Sequence, residues 1–474
     1  MRYLLFCGLV ILSIVAVKQN ETSQEVLNND FPEGLIHKSS ANHNENSRDK
    51  TREESGKNKV PSTSIPTYLD YAASAHINRK SLREFDKISK LDGNSSGFNF
   101  HAQKLREIEN QSAKIIAEKI GCNADQILFT NSATMSNNIA ILGVAYKYPG
   151  CHLITSKIEH KSVLNVFKYL ERSGYGVTYI DVDRYGNLNL KQLKESIKKN
   201  TRLVSIQSFN SEIGTRQDVA AIAKIIKESG NENILFHSDI AQAFGKYPTD
   251  FSVFDMATFS GYKIGAPKGI AALYIKDRKR ITPIFFGSGD EFFPGSKPTA
   301  LIAAFAKAVE VYKLNEEIIE KNFNVLKEEI EKIPDVYINS EKPSHVFSVS
   351  IKGVLLKDLI ERVNKFSFSS GCSCLGQGGE SNVKEAIDPE GKLPSATLRI
   401  SFSDKVSKDS LINFAKSLKI EVEELRKEKS VSDNCEKSEE KQKDLVKSLL
   451  DLSSRKRKNP SATTVKNPKR NKRI

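Results

Sequence analysis

The chain has 474 residues, 39% of them hydrophobic, and a formal net charge of +14, enough apolar material for a large core in two or more lobes. Nine Lys and Arg residues fall between Leu452 and Ile474 with no acid among them; removing these nine from +14 leaves +5 for the rest. The basicity belongs to the tail, so charge gives no ground for nucleic-acid binding by the body.

Arg2 precedes an uncharged apolar run from Tyr3 to Val17. That run is short for a membrane span and suits the apolar region of a signal peptide. Residues 1–17 therefore read as a signal peptide or an uncleaved signal anchor, directing the chain to the secretory route or an organelle. No other run approaches a membrane-spanning length, so no integral membrane body is expected. Residues 18–64 are rich in Asn, Ser, Glu and Lys and read as a disordered leader. Its acids, among them Glu21, Glu25, Asp30 and Glu53, argue against a simple mitochondrial transit peptide.

Order is expected from about Pro66. Leu105, Ile108, Ile115, Ile116 and Ile120 recur at helical spacing and stop at Gly121. Strands are expected at Gln126–Thr130, His152–Thr155, Val177–Asp181, Leu203–Ser208, Ile234–Ser238, Met256–Ser260 and Ile270–Ile275. Helical stretches such as Val219–Ser229 lie between most of them. This alternation predicts an α/β fold with a mostly parallel sheet and crossover helices. The pattern turns helical from Leu301 to about Ile333, and a smaller α/β lobe follows to about Leu425. The expected organisation is a large domain over 65–300, a helical connection and small C-terminal domain over 301–425, and a disordered basic tail over 426–474. One amphipathic stretch, Leu445 to Leu452, falls inside that tail.

The cysteines, at 7, 122, 151, 372, 374 and 435, are too few and too irregular for a disulfide framework. Cys372 and Cys374 form a C-x-C pair with no second pair or His cluster nearby, so no metal site is expected. A working thiol needs a reducing compartment.

In open α/β sheets, ligands sit at the carboxyl ends of strands. Polar residues gather at these ends here: Asp239 and Gln242, Asn210, Ser260 and Lys263, His160, and the run Thr130 to Thr134. Each alone reads as a cap, a turn or a solvated side chain. Together they supply what a pyridoxal cofactor needs: an amine for a Schiff base, a carboxylate for the pyridinium nitrogen and helix-N-terminal donors for a phosphate.

Five motifs carry a family resemblance: Tyr68-Leu-Asp-Tyr-Ala-Ala73, Phe129-Thr-Asn-Ser-Ala-Thr134, Ile158-Glu-His-Lys-Ser-Val163, His237-Ser-Asp-Ile-Ala-Gln242 and Ser260-Gly-Tyr-Lys-Ile-Gly-Ala-Pro-Lys-Gly269. In this order they resemble the cysteine desulfurases, pyridoxal-phosphate enzymes of the class V aminotransferase fold. The resemblance spans about Thr67 to about Leu418. It implies an aspartate-aminotransferase-like fold with a large, mostly parallel domain and a smaller α/β domain. It also implies that Lys263 holds the cofactor, Asp239 its ring nitrogen and Gln242 its ring oxygen. His160 matches the residue stacked on the ring that also shuttles protons. Ala133, Thr134, Ser260 and Tyr262 match phosphate-site positions, and Thr299 matches the phosphate threonine donated by a partner subunit in a homodimer. Asn210 and Arg399 match the residues that hold the carboxylate of the substrate, L-cysteine. Ser369-Ser-Gly-Cys-Ser-Cys374 resembles the family's active-site loop, with Cys374 as the cysteine that takes sulfur as a persulfide and passes it to an iron–sulfur scaffold protein or another acceptor.

Departures are Tyr262 in place of a usual histidine, Ser132 for glycine, Met135 for glutamate, and Phe293-Pro294 where an arginine is usual. Tyr262 retains a hydroxyl donor for phosphate. Two other readings stay open: a selenocysteine lyase, and a catalytically degenerate or nuclear, RNA-associated protein. The second rests on the tail, where Arg455–Lys458 and Lys469–Arg473 read as a bipartite nuclear signal.

Overall fold

The computed structural model describes residues 65–370 and 381–457. Seven strands form the main sheet: β2 (Ile127–Thr130), β3 (His152–Ser156), β4 (Gly176–Ile180), β5 (Thr201–Ser205), β6 (Leu235–Asp239), β7 (Met256–Ser260) and β8 (Ala271–Ile275), with β1 (Thr67–Tyr68) lying outside it. Their spatial order is β2-β8-β7-β6-β5-β3-β4. Only β8 runs against its neighbours, pairing antiparallel with both β2 and β7. All seven lie where the sequence pattern expects strands, with ends displaced by a few residues. The largest displacement is in β5, which ends at Ser205 and leaves Ile206 to Asn210 as loop.

Both faces of this sheet are buried because successive strand residues point to opposite sides. Ile154, Val204 and Phe236 join one apolar cluster, while Leu153, Leu203 and Leu235 join the other. On the first face lies α2 (Phe100–Ile120), which follows α1 (Arg79–Ile88). Asn99 caps the start of α2, and Gly121 ends it at φ 73°, a left-handed conformation costly for any side chain. The second face is covered by α3 (Ala133–Lys147) and α4 (Lys161–Arg172), whose Ile139, Val144, Val163 and Phe167 are fully buried. Then come α5 (Leu190–Ser196), α6 (Val219–Glu228), α7 (Thr299–Val311) and α8 (Glu316–Ile330).

A second, four-stranded antiparallel sheet follows, in the order β12-β13-β10-β9. Its strands are β9 (Val336–Ile338), β10 (Val346–Ile351), β12 (Ser369–Ser370) and β13 (Ala396–Ser401). With α8, α9 (Leu356–Arg362) and the last helix it encloses its own core around Phe347, Leu398, Phe402 and Phe414. The expectation that the chain from residue 65 belongs wholly to the large lobe needs correction. Strand β1 pairs with β11 (Phe366–Ser367), Asp70 bridges to Ser401, and Leu69 lies in the second core. A short helix, α10 (Asn382–Ile387), precedes β13.

The tail also differs from expectation. Residues 426–474 read as disordered, yet α11 runs unbroken from Lys408 to Arg457. Neither Gly nor Pro occurs between Lys408 and Asn459, and the stretch is rich in Glu, Lys and Leu, strong helix formers. Beyond Leu425 the only amphipathic stretch in the sequence is the short Leu445 to Leu452, too little to mark a packed helix, but a helix needs none to persist when it continues a packed one. Each described side chain from Lys427 onward is exposed. No helix among the described residues is long and apolar enough to cross a membrane.

Candidate active site

The carboxyl ends of β2, β3, β6 and β7 open onto one cavity of about 160 Å³. Ala133, Thr134, His160, Asp239, Gln242, Ser260, Tyr262, Lys263 and Arg399 all line it. The topology explains the convergence. Parallel strands end on the same edge, so turns far apart in sequence deliver their side chains to one place. Asp239 closes β6, Ser260 closes β7, and Lys263 sits on the 3-10 turn Gly261–Ile264 that follows. Gly261 is required there, since a Cβ would meet Phe305 at 2.9 Å and Ala266 at 3.0 Å.

Lys263 Nζ donates to the carbonyls of Ala72 (2.5 Å) and Ala73 (3.0 Å) and lies 4.7 Å from the Tyr262 ring centroid. Burial, with Arg399 adding to it, brings its amine down to about 8 against the opposing pull of Asp239 and Asp70. Asp239 accepts from Asn137 Nδ2 at 2.8 Å and from the Ala241 N–H at 3.0 Å. Asn137 also donates to Ser162 Oγ at 2.9 Å, and Ser162 Oγ is 2.7 Å from His160 Nδ1. Asp239 and His160 are thus joined through two buried polar side chains. The Ser162 N–H donates to His160 Nδ1 at 3.1 Å, so the neutral ring carries its hydrogen on Nε2. Burial holds that imidazole below its usual pKa.

Arg399, on β13, is 2% exposed and brings the second lobe into the site. Its Nη2 donates to Asp70 Oδ1 at 2.8 Å and its Nη1 to the Ser211 carbonyl at 3.1 Å. Ser369 Oγ donates to the same Asp70 oxygen at 3.0 Å. Glu212 also lines the cavity, takes a hydrogen bond from Ser381 Oγ at 2.5 Å, and is raised above the usual carboxylate range by burial.

Two expected residues are not at the cavity. The Asn210 side chain is used by the backbone: Nδ2 donates to Ile158 O at 3.0 Å, and Oδ1 accepts from the Glu212 and Ile213 N–H groups. Its neighbours Ser211 and Glu212 line the cavity instead. Thr299 is buried at the start of α7 and donates to Glu109 Oε1 at 2.6 Å. Cys372 and Cys374 lie outside the described residues. Asn137, Ser162, Glu212 and the Asp70 contact were not singled out in the sequence. Asp70 and Ser162 stand inside two of the five motifs, and that is the available signal.

The cavity suits a phosphorylated pyridine aldehyde on structural grounds. Ser260 Oγ is buried there with no hydrogen-bond partner among the described residues, and an orphaned buried hydroxyl is costly unless a ligand satisfies it. The start of α3 contributes Ala133 and Thr134, and first-turn N–H groups lack intrahelical partners and favour phosphate. An amine poised near 8 shares the space with a carboxylate suited to a protonated ring nitrogen. By fold and site the protein is a pyridoxal-phosphate-dependent enzyme.

Comparison with known proteins narrows this. The aminotransferase class-V family model matches residues 67–413. Cysteine desulfurase IscS of Buchnera aphidicola is 34% identical over 384 residues, covering 76% of this chain and 94% of that protein. Cysteine desulfurase IscS of Neisseria meningitidis is 35% identical over 382 residues, with 76% and 93% covered. Among solved structures, SspA in complex with cysteine is 32% identical at a TM-score of 0.64, covering 71% of this chain and 98% of that one. A NifS-like protein from Rickettsia africae is 25% identical at a TM-score of 0.66, with 76% and 99% covered. The chain belongs to the aminotransferase class-V family, and within it to the cysteine desulfurases.

Proposed function

We propose that the protein converts L-cysteine to L-alanine, leaving the sulfur as a persulfide on Cys374 for an iron–sulfur scaffold protein or another acceptor. The observation that supports this best is the buried guanidinium of Arg399 lining the same cavity as Lys263. A carboxylate-binding fork beside the amine selects an amino acid as substrate. When bound, pyridoxal phosphate supplies an electron sink that labilises bonds at the substrate's α-carbon.

Lys263 would hold the cofactor, Asp239 its ring nitrogen, Gln242 its ring oxygen, and Thr134, Ser260, Tyr262 and the Ala133 N–H its phosphate. Lys263, once released, holds or moves a proton at Nζ, which its lowered pKa makes possible near neutrality. His160 offers a hydrogen at Nε2, with its tautomer set by Ser162. Cys374 acts as a thiolate, and its part rests on the Gly-x-x-Cys register from Gly371. The active unit is a homodimer in which Thr299 serves the neighbouring subunit's phosphate.

Purified protein should be yellow and release alanine from L-cysteine. Brief exposure to L-cysteine, followed by mass spectrometry, should find a persulfide on Cys374 and none on Cys372. Cys374→Ser should lose sulfide release while Cys372→Ser keeps it. An unmodified loop, or faster turnover of L-selenocysteine without any persulfide, would refute the assignment.

A further inference from the structure

Behind the cavity lies a buried polar cluster in which Gln242 is joined by Lys246, Tyr247 and His345, three residues that none of the steps above uses. Gln242, Lys246, Tyr247 and His345 are each 7% exposed or less. Lys246 Nζ donates to Gln242 Oε1 at 3.0 Å, and His345 Nε2 lies 3.2 Å from the same oxygen. Tyr247 Oη is 2.8 Å from His345 Nδ1 and accepts the His345 backbone N–H at 3.0 Å. On its other side, Gln242 Nε2 donates to the Ala72 carbonyl at 2.8 Å. That carbonyl is also the one that takes the Lys263 Nζ hydrogen bond.

Donor and acceptor roles in this cluster have one self-consistent solution. The Ala72 carbonyl can only accept, so the Gln242 atom facing it must be the nitrogen, and the atom facing Lys246 and His345 must be the oxygen. His345 must then place its hydrogen on Nε2 to reach that oxygen. Its Nδ1 becomes an acceptor and takes the Tyr247 hydroxyl hydrogen, which leaves the Tyr247 oxygen lone pairs for the His345 N–H. Turning the Gln242 amide over would aim its NH2 at two donors and its oxygen at the Ala72 carbonyl. The hydrogen bond to Ala72 would be lost and two buried oxygens set against each other. Burial also drives both Lys246 and His345 towards their neutral forms, and Lys263 adds to this for each.

We infer that Lys246 and His345 are positioning residues that fix the Gln242 amide with its nitrogen towards the cavity, so that Gln242 acts there only as a donor. One Nε2 hydrogen is spent on Ala72, and the second remains for the cavity. The shared Ala72 carbonyl sets that hydrogen beside Lys263 Nζ. Resting on the reading of Gln242 as the cofactor's ring-oxygen partner, this makes the pair responsible for the charge on that oxygen. A donor from Gln242 stabilises the oxygen's negative charge and so weakens its hold on the proton shared with Lys263. Without the donor, the proton is held more tightly and leaves at higher pH.

The test is a pH titration of the visible absorbance of full-length, cofactor-loaded protein. Gln242→Leu sets the reference, with its titration midpoint raised by about one pH unit, the scale of one charge-assisted hydrogen bond. The double variant Lys246→Met/His345→Leu should move at least half as far in the same direction, and either single change should move less. His345→Gln keeps a donor for Gln242 and an acceptor for Tyr247, and should titrate as wild type. A packing role alone would alter melting temperature in these variants without ordering the midpoints this way. If the double variant does not fold, His345→Leu against His345→Gln carries the decision. A shifted Gln242→Leu beside unshifted Lys246 and His345 variants overturns the inference and leaves the function standing. An unshifted Gln242→Leu overturns the placement of Gln242 and the inference with it. Failure of the wild type to bind cofactor overturns the functional reading itself.

Discussion

Replacing Lys263 with methionine should make the cofactor-free protein more stable at neutral pH, with an advantage that disappears as pH rises. The folded chain holds this amine near 8, whereas an unfolded lysine titrates near 10.5. Below pH 8 both states bind the proton, and the folded state bears the full cost of a charge in a poorly hydrated cavity. Between 8 and 10.5 the unfolded chain binds more protons, so raising pH through this window stabilises the wild type. The gap of about 2.5 pH units corresponds to about 3 kcal/mol. Methionine escapes that cost but gives up the hydrogen bonds to Ala72 and Ala73, about 1 kcal/mol each. Lys263→Met should therefore be about 1 kcal/mol more stable at pH 7 and about 2 kcal/mol less stable near pH 10.5. Urea unfolding of both cofactor-free proteins across this range measures the difference directly, and other titrating groups cancel. A difference that stays flat with pH would refute the placement of this amine. The functional counterpart is that about 10% of the amine is neutral at pH 7, against about 0.03% for an ordinary lysine.

Three further outcomes are expected. Asp70→Asn removes the anion that orients Arg399 Nη2 and should raise KM for L-cysteine about tenfold with little change in kcat, read by steady-state alanine release; an unchanged KM would sink this role. Gly261→Ala forces a Cβ into Phe305, Ala266 and Ile270 and should destabilise by about 1–3 kcal/mol, measured by thermal melting together with cofactor content. Ending the chain after Lys429 should leave the melting temperature and activity unchanged, because the described side chains beyond it bury nothing; a drop of several degrees would show that the distal helix packs.

What was legible in the sequence follows from what is local. Leu153/Ile154 and Leu235/Phe236 mark strands with two buried faces, so runs of β-branched and aromatic residues between turns exposed the main sheet. Strand-end logic then placed Asp239, Lys263 and His160 on one edge, and the topology needed only the strand directions to make them neighbours. Contacts between distant residues carry no such local mark. Asn137 reaches Asp239 across 102 positions, and His345 reaches Gln242 across 103. The partners of the Asn210 side chain are hidden from the sequence for a related reason. The loop after β5 turns back on Ile158, and the Asn210 amide donates to that carbonyl and accepts from two N–H groups of its own loop.

The long last helix has a mechanical consequence. From Leu425, the last of the described side chains of α11 that is buried, to Arg457 there are 32 residues, a rod of about 48 Å. Arg455, Lys456 and Arg457 stand at its far end, where cations also suit the negative pole of the helix. A stiff boom of this kind fixes the separation between its basic tip and the second core on which its first turns rest, so a load applied at the tip is transmitted to that core as a lever transmits it.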